Sequence, residues 1–313
     1  MTQWLYERFK TEDPRRDWQF SLMGTLNWAR SLALHVSEGF SRDEIVSHYL
    51  NVARLPIDKA RENKVFENLV LAFHCQSSLH VMGSKFENIY SINRSAVVSW
   101  YYGLYYAAKA MIAAVDGSSQ EIHAKVATTW RNQIVLNSFA IPPFSYQVDT
   151  LVKAEYEDQI GGQRGGNPFD LRNVPEDFLQ AKGGCLTYLK GTADWYRKKA
   201  EEEIKRNHRL TNFRTKEARR IRDESLSTKS ACFMHQAFRF RGKTNYRDAL
   251  YLSYGGQNRG SSIERFVNDL TLVLDVFLKM TCGYVGRRIH KKTWEDFLED
   301  IRKHARFELY YEQ

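Results

Sequence analysis

SAVVSWYYGLYYAAKAMIAAV, residues 95–115, is the stretch that decides how this chain folds. Its apolar side chains return every three or four positions, so that Val97, Trp100, Tyr101, Leu104, Ala108, Met111 and Val115 share one face of a helix. The other positions are hardly more polar. A helix that is apolar nearly all round belongs at the centre of a bundle, and Ala107, Ala108 and Ala110 would let a neighbouring helix approach closely. Asn93 or Ser95 can cap its first free N–H groups, and Asp116-Gly117 supplies the stop.

The same period spreads outward from this helix. Residues 16–36 and 65–82 repeat it, the second placing Phe66, Leu69, Val70, Phe73, Ser77 and Val81 on one face. In SRDEIVSHYLNVARLP, Ser41 is an N-cap with Glu44 in the capping-box position, and the segment ends before Pro56. From 137 to 185 the pattern loosens through SFAIPPFSYQVDTL and GGQRGGNPFDLRNVPEDF. The glycine pairs around Arg164 predict a flexible surface loop; no GKS/T follows and no apolar strand leads in, so it is not a phosphate-binding P-loop. A helix over 175–206 follows, then a flexible loop at 255–262. In the helix after it, residues 263–286, Ile263, Phe266, Val267, Leu270, Val273, Leu274, Phe277 and Met280 share a face. The 291–313 segment reads as a charged amphipathic helix suited to docking a partner.

A chain of 313 residues can build a sizeable core without metal or disulfide staples, and 43% hydrophobic with 27% charged residues is the balance of a soluble globular protein. Cys75, Cys185, Cys232 and Cys282 form no CxxC pair, which argues against the common zinc spacings. The charged first ten residues do not resemble a secretory signal, and no run of 18 apolar residues would span a membrane, so a cytoplasmic protein is expected. The net charge of +9 is concentrated. Between Arg197 and Arg222, eleven basic residues (Arg197, Lys198, Lys199, Lys205, Arg206, Arg209, Arg214, Lys216, Arg219, Arg220 and Arg222) stand against four acidic ones. Such a stripe is either a contact for a polyanion, favoured by counterion release, or a solvated helical face.

The 95–115 helix resembles the signature helix of the HEPN superfamily, which has a small residue, paired tyrosines and an alanine-rich stretch; here these are Ser99, Tyr101, Tyr102, Tyr105, Tyr106, Ala107, Ala108, Lys109 and Ala110. The order of His123, Arg247-Asp248 and the 263–286 helix agrees with it. The resemblance covers about 65–125 and 235–290. It implies an all-α fold: a HEPN-like helical bundle over 63–290 with a basic insertion at about 130–230, an N-terminal helical extension over 1–62, and the charged C-terminal helix over 291–313.

Many members of that superfamily are metal-independent endoribonucleases, in which an Arg stabilises phosphate charge and a His four to six residues later moves the proton, with two motifs meeting across a dimer. In the expected place RDALYLSY supplies Arg247, Asp248 and Tyr254 in register, but Leu252 stands where the His would be, and leucine transfers no proton. Two literal Arg-to-His spacings lie earlier: Arg30 with His35, and Arg42 with His48, the second having the polar Asp43 after its Arg. The candidate catalytic residues are therefore Arg247, Asp248 and Tyr254, with Arg42 and His48 as the alternative.

Other chemistry is less well supplied. Asp170 with Gln180–Lys182 matches the letters of a metal-dependent nuclease motif, but PEDFLQAK reads as a helix start rather than a strand. His74 and His80 are six apart, which is not metal-ligand spacing on a helix. HQAFRFRGK interleaves His235, Phe238, Arg239, Phe240, Arg241 and Lys243: either the phenylalanines stack on bases while Arg239 and Arg241 meet phosphates, or they are buried and the arginines snorkel. The sequence thus predicts a non-catalytic or weakly catalytic HEPN-like subunit in a prokaryotic defence or toxin-like system. It binds nucleic acid, RNA in preference to DNA, and a protein partner or second copy, and it uses no metal, no other cofactor and no membrane. The alternative is a metal-independent endoribonuclease using Arg247, or Arg42 with His48.

Overall fold

The computed structural model describes residues 18–38, 40–54, 58–85, 91–245 and 261–305, together with Trp4 and Arg8. Helices dominate: α1 (Trp18–Val36), α2 (Arg42–His48), α3 (Lys59–Lys85), α4 (Asn93–Asp116), α5 (His123–Trp130), α6 (Lys153–Arg164), α7 (Phe178–Asn207), α8 (Lys216–Ser227), α9 (Phe233–Asn245), the single turn α10 (Ser261–Glu264), α11 (Phe266–Arg288) and α12 (Lys291–His304). A π-helical turn, Arg131–Val135, continues α5. The two short strands pair antiparallel, β1 (Gln147–Val148) with β2 (Ala231–Cys232), in the register Gln147 to Cys232 and Val148 to Ala231.

The helix apolar on all sides is central. α4 packs against α3, α11, α9 and α5, and its run from Ala107 to Ala114 is buried throughout. α11 lies so close that a Cβ added at Gly103 would sit 2.6 Å from a methyl of Leu274. Every apolar position anticipated on α11, from Ile263 of α10 to Met280, is buried. Around Trp28 of α1 four helices meet: its ring stacks on Tyr188 of α7 at 4.1 Å and meets Trp100 of α4 and Phe240 of α9 edge-on at 5.8 and 5.3 Å. Each such aromatic side chain stabilises the fold by about 2 kcal/mol or more through its removal from water. The described parts of 1–62 and of 130–230 therefore share one core with α4 and α11.

The two ends of α4 differ from each other. At the C-terminus Gly117 takes the left-handed conformation, φ 73°, as its place in the sequence predicts, and donates to Ala113 O. Buried Arg288 of α11 then donates to the carbonyls of Ala114 at 3.2 Å and Val115 at 3.3 Å, and to that of Ala53 at 3.0 Å. A guanidinium there meets the negative end of the helix dipole. At the N-terminus neither Asn93 nor Ser95 caps: the helix starts at Asn93, whose side chain is buried, behind Ile92.

Two other expectations are corrected. On α3 the buried face is Val65, Leu69, Ala72, Phe73, Gln76 and Leu79, while Val81 is 46% exposed and Phe66 instead stacks on Phe297 of α12 at 4.3 Å. A helix between a core and an outer neighbour carries apolar residues for both, so periodicity alone points between the two faces. The glycine-rich stretch is not all loop, because Gly161 and Gly162 lie within α6, which Tyr156 and Ile160 bury against the body. Of the two readings of HQAFRFRGK, the buried one holds for Phe240, which lies fully enclosed among Trp28, Trp100 and Phe266 and cannot stack on a base. The capping box of α2 is present: Glu44 N donates to Ser41 Oγ at 3.3 Å, and Ser41 N to the Glu44 carboxylate at 2.8 Å.

Candidate nucleic-acid interface

The basic stripe folds back on itself. Asp177 caps the start of α7 by accepting from Gln180 N, Thr215 caps α8 by accepting from Ala218 N, and the two helices form a hairpin through residues 208–215. Phe213 in the turn is half-buried, with Lys205 Nζ and Arg222 Cζ each 5.6 Å from its ring centre. Cation–π contact of this kind clips the turn to both helices.

The stripe's charges divide into two sets. Arg197 pairs with Glu201 at 2.6 Å, Lys205 with Glu202 at 2.8 Å, and Arg222 with Asp223 at 2.8 Å. Arg220 is held by both Glu217 and Glu224 at 2.6 Å. The other seven, Lys198, Lys199, Arg206, Arg209, Arg214, Lys216 and Arg219, are exposed and make no ion pair among the described residues. Lys199 lies over the Trp195 ring at 3.9 Å. Next to it, half-buried Arg239 of α9 sits 5.8 Å from the same ring and 5.7 Å from Tyr188, and donates to Thr192 Oγ1 at 3.1 Å. The cations thus continue from the hairpin to the edge of α9.

Arg241, two residues on, faces another side of α9. Its Nη1 donates to the Tyr102 hydroxyl at 3.3 Å, and its guanidinium lies 5.2 Å from the Tyr101 ring, 5.9 Å from Tyr102 and 5.5 Å from Phe238. His123, at the start of α5, stacks on Phe238 with an interplanar angle of 17° and places Nδ1 2.8 Å from the Tyr101 hydroxyl. Burial, and then the charges of Arg241 and Lys109, push the His123 pKa below its ordinary value, so the ring is neutral near pH 7. Burial raises the Tyr101 phenol well above its ordinary range and lifts Tyr105 to about 12. Lys109 Nζ bonds Glu121 at 2.9 Å, which holds that carboxyl below its usual range.

The Arg-to-His candidates stand elsewhere. Arg247, Asp248 and Tyr254 lie outside the described residues. Arg42 and His48 are the first and last residues of α2, both exposed, and His48 Nε2 lies 3.0 Å from Ser138 O. Six residues along a helix amount to a rise of about 9 Å and a rotation leaving the two side chains about 120° apart, so they do not face one another. Arg30 is paired with Asp269 at 3.0 Å, and buried His35 meets the Tyr146 hydroxyl at 2.7 Å, with its pKa lowered to about 4 by burial. Cys232 and His235 approach to 3.2 Å, but burial raises the thiol to about 11 and lowers the imidazole to about 4, so this pair supplies no thiolate. Asp170 is bound by Arg172 at 2.6 Å and the Gln180–Lys182 segment is helical, which removes the strand a metal-dependent nuclease motif needs. Among the described residues no group of three or more His, Cys, Asp or Glu is arranged to hold a metal ion.

In the sequence His123 stands out by its position and the tyrosines by their pairing, but nothing local joins them to Arg241. The pairs Tyr101/Tyr105 and Tyr102/Tyr106, each four apart, were the available signal; that α9 supplies the cation is a tertiary fact. Compared with known proteins, the chain matches no protein-family model, no curated protein and no solved structure. What fold and site define is a predominantly helical protein with an exposed basic hairpin. No helix among the described residues is long and apolar enough to cross a membrane.

Proposed function

We propose that this chain is a nucleic-acid-binding protein, with RNA its target in preference to DNA, built on a HEPN-like bundle and acting as a non-catalytic or weakly catalytic subunit in a prokaryotic defence or toxin-like system. The hairpin of α7 and α8 is the contact surface, with Lys198, Lys199, Arg206, Arg209, Arg214, Lys216 and Arg219 meeting phosphates and Arg239 of α9 at its edge. One observation carries the reading: seven exposed cations without acidic partners among the described residues are gathered on one hairpin, beside the four cations of the 197–222 stripe that carboxylates already neutralise. A merely solvated helical face is expected to balance its charges along i, i+4 pairs, as α12 does with Lys292–Asp296 and Lys303–Glu299. The exposed cations would displace counterions from a strand. A partner or second copy is part of the proposal, on the α12 side of the molecule.

The test is incubation of the purified protein with total RNA in EDTA, beside Arg247→Ala and His48→Ala. Salt-sensitive binding with intact RNA supports the proposal. Cleavage that disappears in one of the two variants replaces it with the nuclease reading and identifies the site.

A further inference from the structure

Among the described residues Arg241 has no counter-ion. Arg288 is met by three carbonyls and Arg30 by the Asp269 carboxylate, whereas Arg241, like Arg164 and Arg239, has only a neutral hydroxyl. Arg241 is half-buried, has no carboxylate partner among the described residues, makes one 3.3 Å bond to a neutral hydroxyl, and keeps its Nε enclosed without a hydrogen bond. Three aromatic rings compensate part of the lost hydration. An anion would supply the rest.

The surroundings describe that anion. The Tyr101 hydroxyl keeps its proton and can donate it to His123 Nδ1, which leaves the imidazole proton on Nε2. His123 Nε2 and Arg241 Nη2 have no hydrogen-bond partner among the described residues, and neither is among the enclosed unpartnered atoms. Two outward donors therefore stand on one cluster. Beside them Tyr102 and Tyr106 are half-exposed with ring centres 6.0 Å apart, one turn apart on α4, and offer a face on which a planar heterocycle can stack. Lys109, the other cation near His123, is neutralised by Glu121.

We infer that Arg241, His123, Tyr102 and Tyr106 form a binding site for one nucleoside monophosphate unit, its phosphate on Arg241 and His123 and its base against the two tyrosines. The site deepens the nucleic-acid reading at Arg241, since the same chemistry is presented by a free mononucleotide and by one unstacked nucleotide of a bound strand.

Calorimetric titration at low salt with AMP, adenosine, inorganic phosphate and a single-stranded trinucleotide RNA tests it. AMP is expected to bind at least tenfold more tightly than either adenosine or phosphate. Arg241→Gln, checked for an unchanged Tm, is expected to lose at least tenfold, with Arg241→Lys between it and the parent. If Arg241→Gln fails to fold, His123→Gln removes the second donor and is expected to lose at least threefold. A trinucleotide binding more tightly than AMP assigns the site to a strand, and the reverse assigns it to a free nucleotide. Equal binding of AMP and adenosine, parent-like affinity in a folded variant, or no saturable binding by any of these probes overturns the inference. The variant Arg209→Gln/Arg214→Gln/Arg219→Gln should lose RNA affinity yet keep its AMP affinity, so failure of the hairpin reading and failure of this site are read separately.

Discussion

Removing three of the unpaired hairpin cations with Arg209→Gln, Arg214→Gln and Arg219→Gln should change how strongly salt weakens RNA binding. If all seven such cations contact phosphates, the slope of log K against log salt for a single strand is about −5, from about −0.7 per contact. Between 50 and 200 mM salt the affinity of the unmutated protein would then fall about a thousandfold. With three contacts gone the slope becomes about −3 and the fall about fiftyfold. Arg220 is the internal control. Its guanidinium already lies between the carboxylates of Glu217 and Glu224, so Arg220→Gln removes the same charge but no phosphate contact, and the slope stays at the parent value. The assay is fluorescence anisotropy of a labelled 20-nucleotide RNA titrated at four salt concentrations. A triple variant whose slope equals the parent's, or an Arg220→Gln protein whose slope falls as steeply as the triple variant's, would refute the division of the stripe into paired and available cations.

Stability offers further tests. Arg288→Met strips hydrogen bonds from three carbonyls, two of them at the C-terminal end of α4, and should cost about 3 kcal/mol in urea unfolding; a loss below about 1 kcal/mol would show that water replaces the guanidinium. Gly117→Ala places a side chain at φ 73° with its Cβ 2.4 Å from Arg61, and about 1–2 kcal/mol should be lost in the same measurement. His35 and His235 have folded pKa values of about 4, below the unfolded value of 6.5, so the unfolded chain takes up protons first as pH falls. Stability should be greatest above about pH 6.5 and decline by up to about 1.4 kcal/mol per unit for each histidine down to about pH 4, a slope that His35→Gln should reduce in denaturant titrations across that range.

The helices were legible because each depends mainly on its own neighbours in sequence. The stretch 95–115 is apolar all round, and only a central position accommodates that; the 263–280 positions repeat at helical spacing, and only one face can be buried. Ser41 with Glu44, and Gly117 after Asp116, are local hydrogen-bond and backbone requirements, and they hold in the structure. The face of α3 is not legible because that helix has two neighbours, nor is the role of Asn93, because a residue suited to capping lies in the first turn of the helix.

The sequence by itself determined the helical class, the core of α4 and α11, and the concentration of positive charge in 197–222. It could not say which of those charges are available, since Arg220 and Arg219 are adjacent in the chain and only the fold shows the first held by two carboxylates and the second exposed with none among the described residues. Nor could it turn a histidine at 123, tyrosines at 101 to 106 and an arginine at 241 into a site. These residues meet because α9 packs against α4 and α5, and such long-range packing is set by the whole core rather than by any local pattern.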